Sequence, residues 1–204
     1  MPTVNPPTPP PPPPREVSPL AGLLSYLIPG MGQVYQGRIG KGVLFFVCIY
    51  TLFFYGMFLG TGSVALGNPP RTYTLSTNVY LPSTTPRNGP IPTGLQKLAL
   101  DLYNRPQFLG QFWVGAVAWP ALWQYYHYDP TAEKGDPLLG HFMRTPSDEN
   151  LNALHTSGDK RLELGWVFTV IAGVLNIMVI YDALAGPAFT IPPPQPGPEK
   201  AVAT

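Results

Sequence analysis

Three histidines and one nearby carboxylate are the residues whose types best suit metal binding. His127, His141 and His155 recur at a regular interval, and His127 with Asp129 would offer an imidazole and a carboxylate to a metal ion. Prolines between the three histidines exclude one continuous helix that would align them. We therefore expect coincidence rather than a metal site, and we expect no cofactor.

Residues 27–42, LIPGMGQVYQGRIGKG, carry glycines at a spacing that phosphate-binding loops also use. Gly32 and Gly37 match the two glycines of such a loop, but the Lys and the Ser or Thr that should follow the second glycine are missing. Lys41 comes too late and is followed by Gly42. The segment therefore predicts no nucleotide site. Because the formal net charge is only +1, nucleic acid is not an expected partner either.

Two polar side chains interrupt the last apolar run. Asn176 lies near its middle, where an amide usually hydrogen-bonds another helix for about 1 kcal/mol or less. Asp182 lies nearer the end, and the separation of the two puts them on different helix faces. An acid inside a membrane can act as a proton or cation relay. The favoured interpretation is instead an interfacial carboxylate that is solvated, or that pairs with Tyr181 or a neighbouring helix.

The composition indicates that these polar residues belong to a membrane protein. Only 11% of the residues are charged, against roughly 25% in soluble domains, which is too few to cover a soluble globule. Residues 42–60, 108–126 and 162–186 are each long and apolar enough for a membrane span. Pro120 is expected to kink the second of them. Cys48 lies in an apolar run, and a single cysteine excludes an internal disulfide.

Residues 19–36 form a fourth candidate span, interrupted by Pro29. Hydropathy alone does not distinguish a span from an interfacial or re-entrant segment here. Helical spacing favours a kinked span that packs against the next one. Pro29 has no amide donor, so it frees the carbonyl of Ser25 for another partner. A small and polar stripe along this segment comprises Gly22, Ser25, Pro29, Gly32 and Gln36.

The glycine-rich stretch is interpreted as the bend of a membrane hairpin. Its glycines permit tight turns, and Arg38 and Lys41 suit cytoplasmic anchors under the positive-inside rule. Gln33 and Tyr35 are expected at headgroup depth. The residues we expect to matter for function or helix packing are Pro29, Gly30, Gly32, Gln33, Tyr35, Gly37, Lys41, Asn176 and Asp182.

Two stretches carry a resemblance to known families. IPGMGQVYQGRIGKG resembles the PGxGQxYxGxxxKG hairpin of small bacterial membrane proteins and is similar in plan to the two-transmembrane-helix domain family. IAGVLNIMVIYDALAGP resembles the ending of an uncharacterised bacterial multi-pass family known only as a domain of unknown function. These resemblances imply membrane architecture and no particular reaction.

The sequence therefore predicts an all-α integral membrane protein with four, alternatively three, transmembrane helices. Residues 1–16 and 187–204 form disordered Pro-rich tails, and residues 17–60 form the Gly-rich transmembrane hairpin. Residues 61–107 form an extracytoplasmic loop with a short amphipathic helix, whereas 127–161 form a cytoplasmic loop between the spans 108–126 and 162–186. The expected location is the cell membrane, specifically the bacterial inner membrane.

The expected function is non-enzymatic, because no nucleophile elbow, zincin motif or paired carboxylates are present. The leading hypothesis is a membrane scaffold or accessory subunit that packs against lipid and a membrane-protein partner, or self-associates. The alternative is a small transport or ion-conducting protein that uses Asp182, Asn176 and Gln33. A membrane-embedded enzyme would need His127, Asp129 or His141 brought together near the bilayer.

Overall fold

Seven helices dominate the part of the chain that the computed structural model describes, which is residues 17–66, 71–76, 78–82, 93–127, 136–140, 142–147, 152, 156 and 160–186. The Pro-rich tails predicted at 1–16 and 187–204 lie outside these residues. The helices are α1 (Pro19–Leu27), α2 (Met31–Tyr35), α3 (Ile39–Leu59), α4 (Leu95–Asn104), α5 (Pro106–Phe112), α6 (Trp119–His127) and α7 (Arg161–Ala185).

One antiparallel pair of strands departs from the predicted all-helical fold. β1 (Thr61–Leu66) and β2 (Arg71–Ser76) follow directly after α3. Their sequences, TGSVAL and RTYTLS, are rich in the Thr, Val and Tyr residues that favour strands. The pair lies within the loop predicted at 61–107, between two of the predicted spans.

The long helices α3 and α7 form an antiparallel pair. Lys41 near the start of α3 contacts Asp182 near the end of α7. At the other end, Gly56 of α3 packs closely on the backbone of Gly165. By length and composition, α3 and α7 are the two helices among the described residues that could cross a membrane. Four spanning helices are therefore not confirmed.

The predicted kinked span at 19–36 is wrong, because α1 and α2 fold back on each other. The α1 helix ends at Leu27, because Ile28 has an extended backbone conformation and Pro29 has no amide donor. Gly30 then has a φ of 84°. The chain then reverses, and the amide of Gly32 donates to Ser25 Oγ at 3.1 Å. We call α1 and α2 with their turn the first hairpin.

The predicted span at 108–126 is also broken. The α5 helix ends at Phe112, and Gly115 takes a φ of 103°, which favours glycine and stops the helix. A 3₁₀ turn, Ala116–Ala118, then leads into α6. Pro120, which was expected to kink the span, instead lies in the first turn of α6, where proline is tolerated. We call α5, the turn and α6 the second hairpin.

A cap of short segments covers the Gly60 end of the long helices. The α4 helix packs there with residues 78–82, 136–140 and 142–147. Val79, Leu81 and Met143 are buried at the centre of the cap. The cap is joined to α3 because Asn78 Nδ2 donates to the carbonyl of Gly56. It is joined to the second hairpin because Arg105, just before α5, donates to the Asn78 carbonyl at 2.8 Å.

The predicted amphipathic helix of the 61–107 loop is α4. Leu98 and Leu102 pack against the buried core, whereas Leu95 remains exposed. The buried Asp101 of the same helix accepts a hydrogen bond from the Tyr125 hydroxyl at 2.7 Å. Tyr125 lies near the end of α6, so the second hairpin returns to the cap from which it started.

Candidate functional site

The two hairpins meet at Asn176 of α7, a fully buried amide. Asn176 Nδ2 donates to the carbonyl of Ser25 at 3.2 Å and to the carbonyl of Trp113 at 2.8 Å. The Ser25 carbonyl is available because Pro29 cannot donate to it, as the sequence predicts. The Trp113 carbonyl lies just past the end of α5. The expected hydrogen bond from Asn176 to another helix is therefore present twice.

A chain of hydrogen bonds leads from this meeting point to Asp182. Ser25 Oγ donates to Gln33 Oε1 at 3.0 Å, and Gln33 is fully buried. Gln33 Nε2 in turn donates to the Val179 carbonyl at 2.9 Å and to Asp182 Oδ2 at 3.1 Å. Asn176 and Asp182 lie on different faces of α7, as expected, but the first hairpin connects them.

Asp182 is held by two cations, Arg38 in the bend between α2 and α3 and Lys41 in the first turn of α3. Arg38 approaches Asp182 Oδ2 at 2.9 Å, and Lys41 Nζ lies 2.7 Å from Oδ1. The side chains of Asp182 and Arg38 are 22% and 20% exposed, whereas that of Lys41 is 40% exposed. This geometry supports the interpretation that Asp182 pairs with a neighbouring element, and not with Tyr181, which is exposed.

Two predicted glycines allow the first hairpin to pack tightly. A Cβ on Gly30 would collide with the backbone carbonyl of Gly42 in α3, and one on Gly32 would collide with the carbonyl of Ala21 in α1. Pro29, between the two helices of the hairpin, is buried as well. These residues shape the hairpin, so that Ser25 and Gln33 can reach α7.

Two of the predicted residues are not part of the site. Tyr35 is 60% exposed, and Gly37 has a φ of 78° in a turn where a Cβ would meet no atom. Conversely, prediction missed Arg38 and Trp113 as site residues. Arg38 was recognised only as an anchor. Trp113 contributes its backbone carbonyl, and no side-chain pattern identifies such a group.

A second polar contact joins α5 to α7 nearer the cap. Gln111 Nε2 donates to Thr169 Oγ1 and to the carbonyl of Asn78, both at 2.8 Å. The buried Gln111 Oε1 and Asn176 Oδ1 accept no hydrogen bond from the residues that the structure describes. The α7 residues that contact the hairpins are therefore small or polar, namely Thr169, Gly173 and Asn176. Gly165 of the same helix packs instead against Gly56 of α3 and Asn78 of the cap.

The histidines considered for metal binding do not form a site in the described residues. His127 is exposed, and its ring stacks on Trp123 with 4.0 Å between the ring centroids. Asp129, His141 and His155 lie outside the part of the chain that the structure describes. Within that part, no group of three or more His, Cys, Asp or Glu residues could hold a metal ion.

Comparison with known proteins identifies a family. A family model described as a family of unknown function (DUF6677) matches residues 20–195. The matched region includes all of both hairpins except Pro19, both long helices and every residue of the polar chain. No curated protein and no solved structure matches the chain. This agrees with the resemblance of the last apolar run to an uncharacterised family. Because the match covers most of the sequence, the chain belongs to this family of unknown function.

Proposed function

We propose that the protein is a multi-pass integral membrane protein crossed by α3 and α7. The observation that carries this proposal is that only 28% of the most apolar part of α3 and 33% of that of α7 is buried within the protein. The core helix of a soluble protein would be mostly buried. The exposed apolar side chains include Val43, Leu44, Phe46, Val47, Phe54 and Phe58 of α3 and Ile171, Val174, Leu175, Ile177 and Met178 of α7.

In this arrangement, the two hairpins enter the bilayer from opposite sides and stop halfway. At 1.5 Å per residue, α1 and α5 are each about 10 to 14 Å long, less than half of a hydrocarbon core of about 30 Å. They meet at Asn176, in the central part of α7. Interrupted helices are tolerated at membrane depth where protein buries them, and Pro29, Gly30 and Gly115 are buried.

The orientation we propose puts Arg38 and Lys41 on the cytoplasmic side of the cell membrane. The amide of Ser18 donates to the carbonyl of Leu184 at 3.1 Å, so both ends of the described chain lie on that side. The cap, including residues 136–140 and 142–147, then lies on the opposite side. This replaces the expectation of a cytoplasmic loop at 127–161, because the second hairpin returns to the cap.

We propose that this protein acts without catalysis, as a scaffold or accessory subunit that packs against lipid and a membrane-protein partner. Its support is that the polar groups of the site mainly face one another, while the long helices present apolar surfaces outward. Native mass spectrometry after gentle extraction tests this. A second polypeptide of reproducible mass is expected, and a species that retains only lipid or ions would contradict it.

A second candidate function is supported by the polar chain from Asp182 through Gln33 to Asn176. A small transport or ion-conducting protein would use such a chain. Ion flux into vesicles that contain the purified protein tests this candidate. If it is correct, Asp182→Asn abolishes the flux at unchanged membrane abundance. If the scaffold proposal is correct, the same variant weakens assembly, and the wild-type vesicles show no flux above protein-free vesicles.

A further inference from the structure

Two helices point their carboxyl-terminal ends at the same buried place. The α1 helix runs from Ser18, beside Leu184, to its end near Asn176, and α5 runs from Arg105 at the cap to the same residue. The last carbonyls of a helix have no partner within it, and each helix end carries about half a negative charge. Two such ends therefore concentrate negative potential around Asn176.

Backbone oxygens are close together at this junction. The carbonyls of Tyr26 and Leu27, in the last turn of α1, face the backbone of Gly115 after α5. A Cβ on Gly115 would lie 2.8 Å from the Leu27 oxygen and collide with the Tyr26 oxygen. The φ of 103° at Gly115 permits this approach.

Independently of the helix ends, the side-chain oxygen of Asn176 is buried without a hydrogen-bond donor among the described residues. The residue is 0% exposed, its two N–H groups serve Ser25 and Trp113, and Asn176 Oδ1 accepts no hydrogen bond from any residue the structure describes. A buried oxygen of this kind requires a donor or a cation.

We propose that the junction binds a monovalent alkali cation, with Asn176 Oδ1 and carbonyls at the end of α1 as ligands. Amide and carbonyl oxygens are suitable ligands for hard cations, and broken helices present such groups to ions inside membranes. The ligands are neutral, which favours a single positive charge, because a buried divalent ion needs carboxylates to balance it. Asp182 is already engaged by Arg38 and Lys41.

The polar chain connects the proposed ion site with the partly exposed Asp182. Asp182 is partly exposed, and Gln33 and Ser25 lead from it to Asn176. The inference goes beyond the proposed function, because a cation at the junction can be a fixed structural ion or a transported one. If no cation binds, the membrane arrangement and the scaffold proposal still stand. Cysteine labelling tests the membrane arrangement, and native mass spectrometry tests the scaffold proposal.

The test uses the full chain in detergent, exchanged into choline chloride. The unfolding midpoint is followed by tryptophan fluorescence while sodium, potassium or lithium chloride replaces choline chloride at constant ionic strength. We expect at least one alkali cation to raise the midpoint with a saturable dependence on its concentration. Identical midpoints in all four salts would overturn the proposal.

Asn176→Asp locates the effect, because it retains an oxygen and adds a negative charge beside the ion. The half-saturating cation concentration is expected to fall by about tenfold or more. An unchanged concentration would overturn the site. The matched control is Gln124→Leu, which removes another buried amide whose oxygen accepts no described hydrogen bond; its cation response should equal that of the wild type. If Asn176→Asp does not fold, the wild-type titration decides the proposal by itself.

Discussion

The side-chain amide of Asn176 donates to the backbone carbonyl of Ser25 across 3.2 Å, joining α7 to the broken end of α1. Pro29 creates the free carbonyl, and Asn176 supplies the missing donor. The same amide serves the carbonyl of Trp113, so one side chain holds the turning points of both hairpins. The stability of the junction should therefore depend on this residue more than on its neighbours along α7.

Asn176→Leu is expected to lower the free energy of unfolding by about 1 to 4 kcal/mol, because two buried carbonyls lose their donors. Unfolding in mixed micelles with increasing denaturing detergent, followed by tryptophan fluorescence, measures the change. The control is Met178→Leu. Met178 is 67% exposed, so this substitution should change the free energy of unfolding by less than about 0.5 kcal/mol. If the two substitutions lowered the free energy of unfolding equally, the hydrogen bonds of Asn176 would contribute nothing to stability, which would contradict this prediction.

Gly30→Ala is expected to destabilise the protein by about 2 kcal/mol or more. The φ of 84° is unfavourable for alanine, and the new Cβ would meet the Gly42 carbonyl, which cannot move alone. Gly40→Ala is the matched control, because Gly40 is in α3 with open space around it. It should be neutral or stabilising by up to about 1 kcal/mol, since alanine favours helix. Comparable losses in both variants would contradict the close packing of the first hairpin.

Asp182 should interact more strongly with Arg38 than with Lys41. Arg38 contacts both carboxylate oxygens, at 3.3 and 2.9 Å, and is less exposed than Lys41. Double-mutant cycles with Asp182→Asn and either Arg38→Gln or Lys41→Gln measure the two coupling energies. We expect about 1 to 2 kcal/mol for Arg38 and about 0.5 kcal/mol or less for Lys41. The reverse order would contradict this geometry.

The turn at 136–140 should survive mild acid. Backbone amides of Leu139 and Leu138 donate to Asp136 and lower the pKa of its carboxyl group below the ordinary 3.8. A lowered folded-state pKa means that the stabilisation is present above the ordinary pKa and is lost only as the pH falls through the lowered value. The turn should therefore be intact at about pH 5 and should begin to open only when the pH falls below about 4.

Trp123 reports on this turn, because its Nε1 donates to Asp136 Oδ2 at 3.2 Å. The fluorescence difference between the wild type and Trp123→Phe, recorded against pH, isolates its signal. Asp136→Asn serves as the control and should show no transition in this range. A wild-type transition centred above the ordinary carboxyl pKa would disagree with the geometry of the turn.

Much of the helical framework follows from local sequence. Unbroken apolar runs produce α3 and α7, whose length needs no tertiary information. The small and polar spacing at Gly22, Ser25 and Gly32 correctly indicates the buried face of the first hairpin. Pro29 likewise indicates the free Ser25 carbonyl, because the missing amide is a property of the residue itself.

The fold-back of the hairpins could not be predicted in the same way. A proline or glycine inside an apolar run is compatible with a kink and with a reversal, and long-range contacts decide between them. Here the decision depends on Gly32 against Ala21, and on Gly115 against the end of α1. The pairing of Asp182 with Arg38 joins residues that are distant in the chain, so helical periodicity contains no signal for it.

Single-cysteine labelling tests most directly whether the hairpins enter from opposite sides. In a Cys48→Ala background, Val17→Cys, Leu95→Cys and Leu138→Cys each put a thiol at an exposed position. An impermeant maleimide is added to intact cells and then to permeabilised cells. We predict that Leu95→Cys and Leu138→Cys react in intact cells, and that Val17→Cys reacts only after permeabilisation. Labelling of Leu138→Cys only after permeabilisation, with Leu95→Cys reacting in intact cells, would contradict the second hairpin and favour a chain that crosses the membrane at residues 108–126.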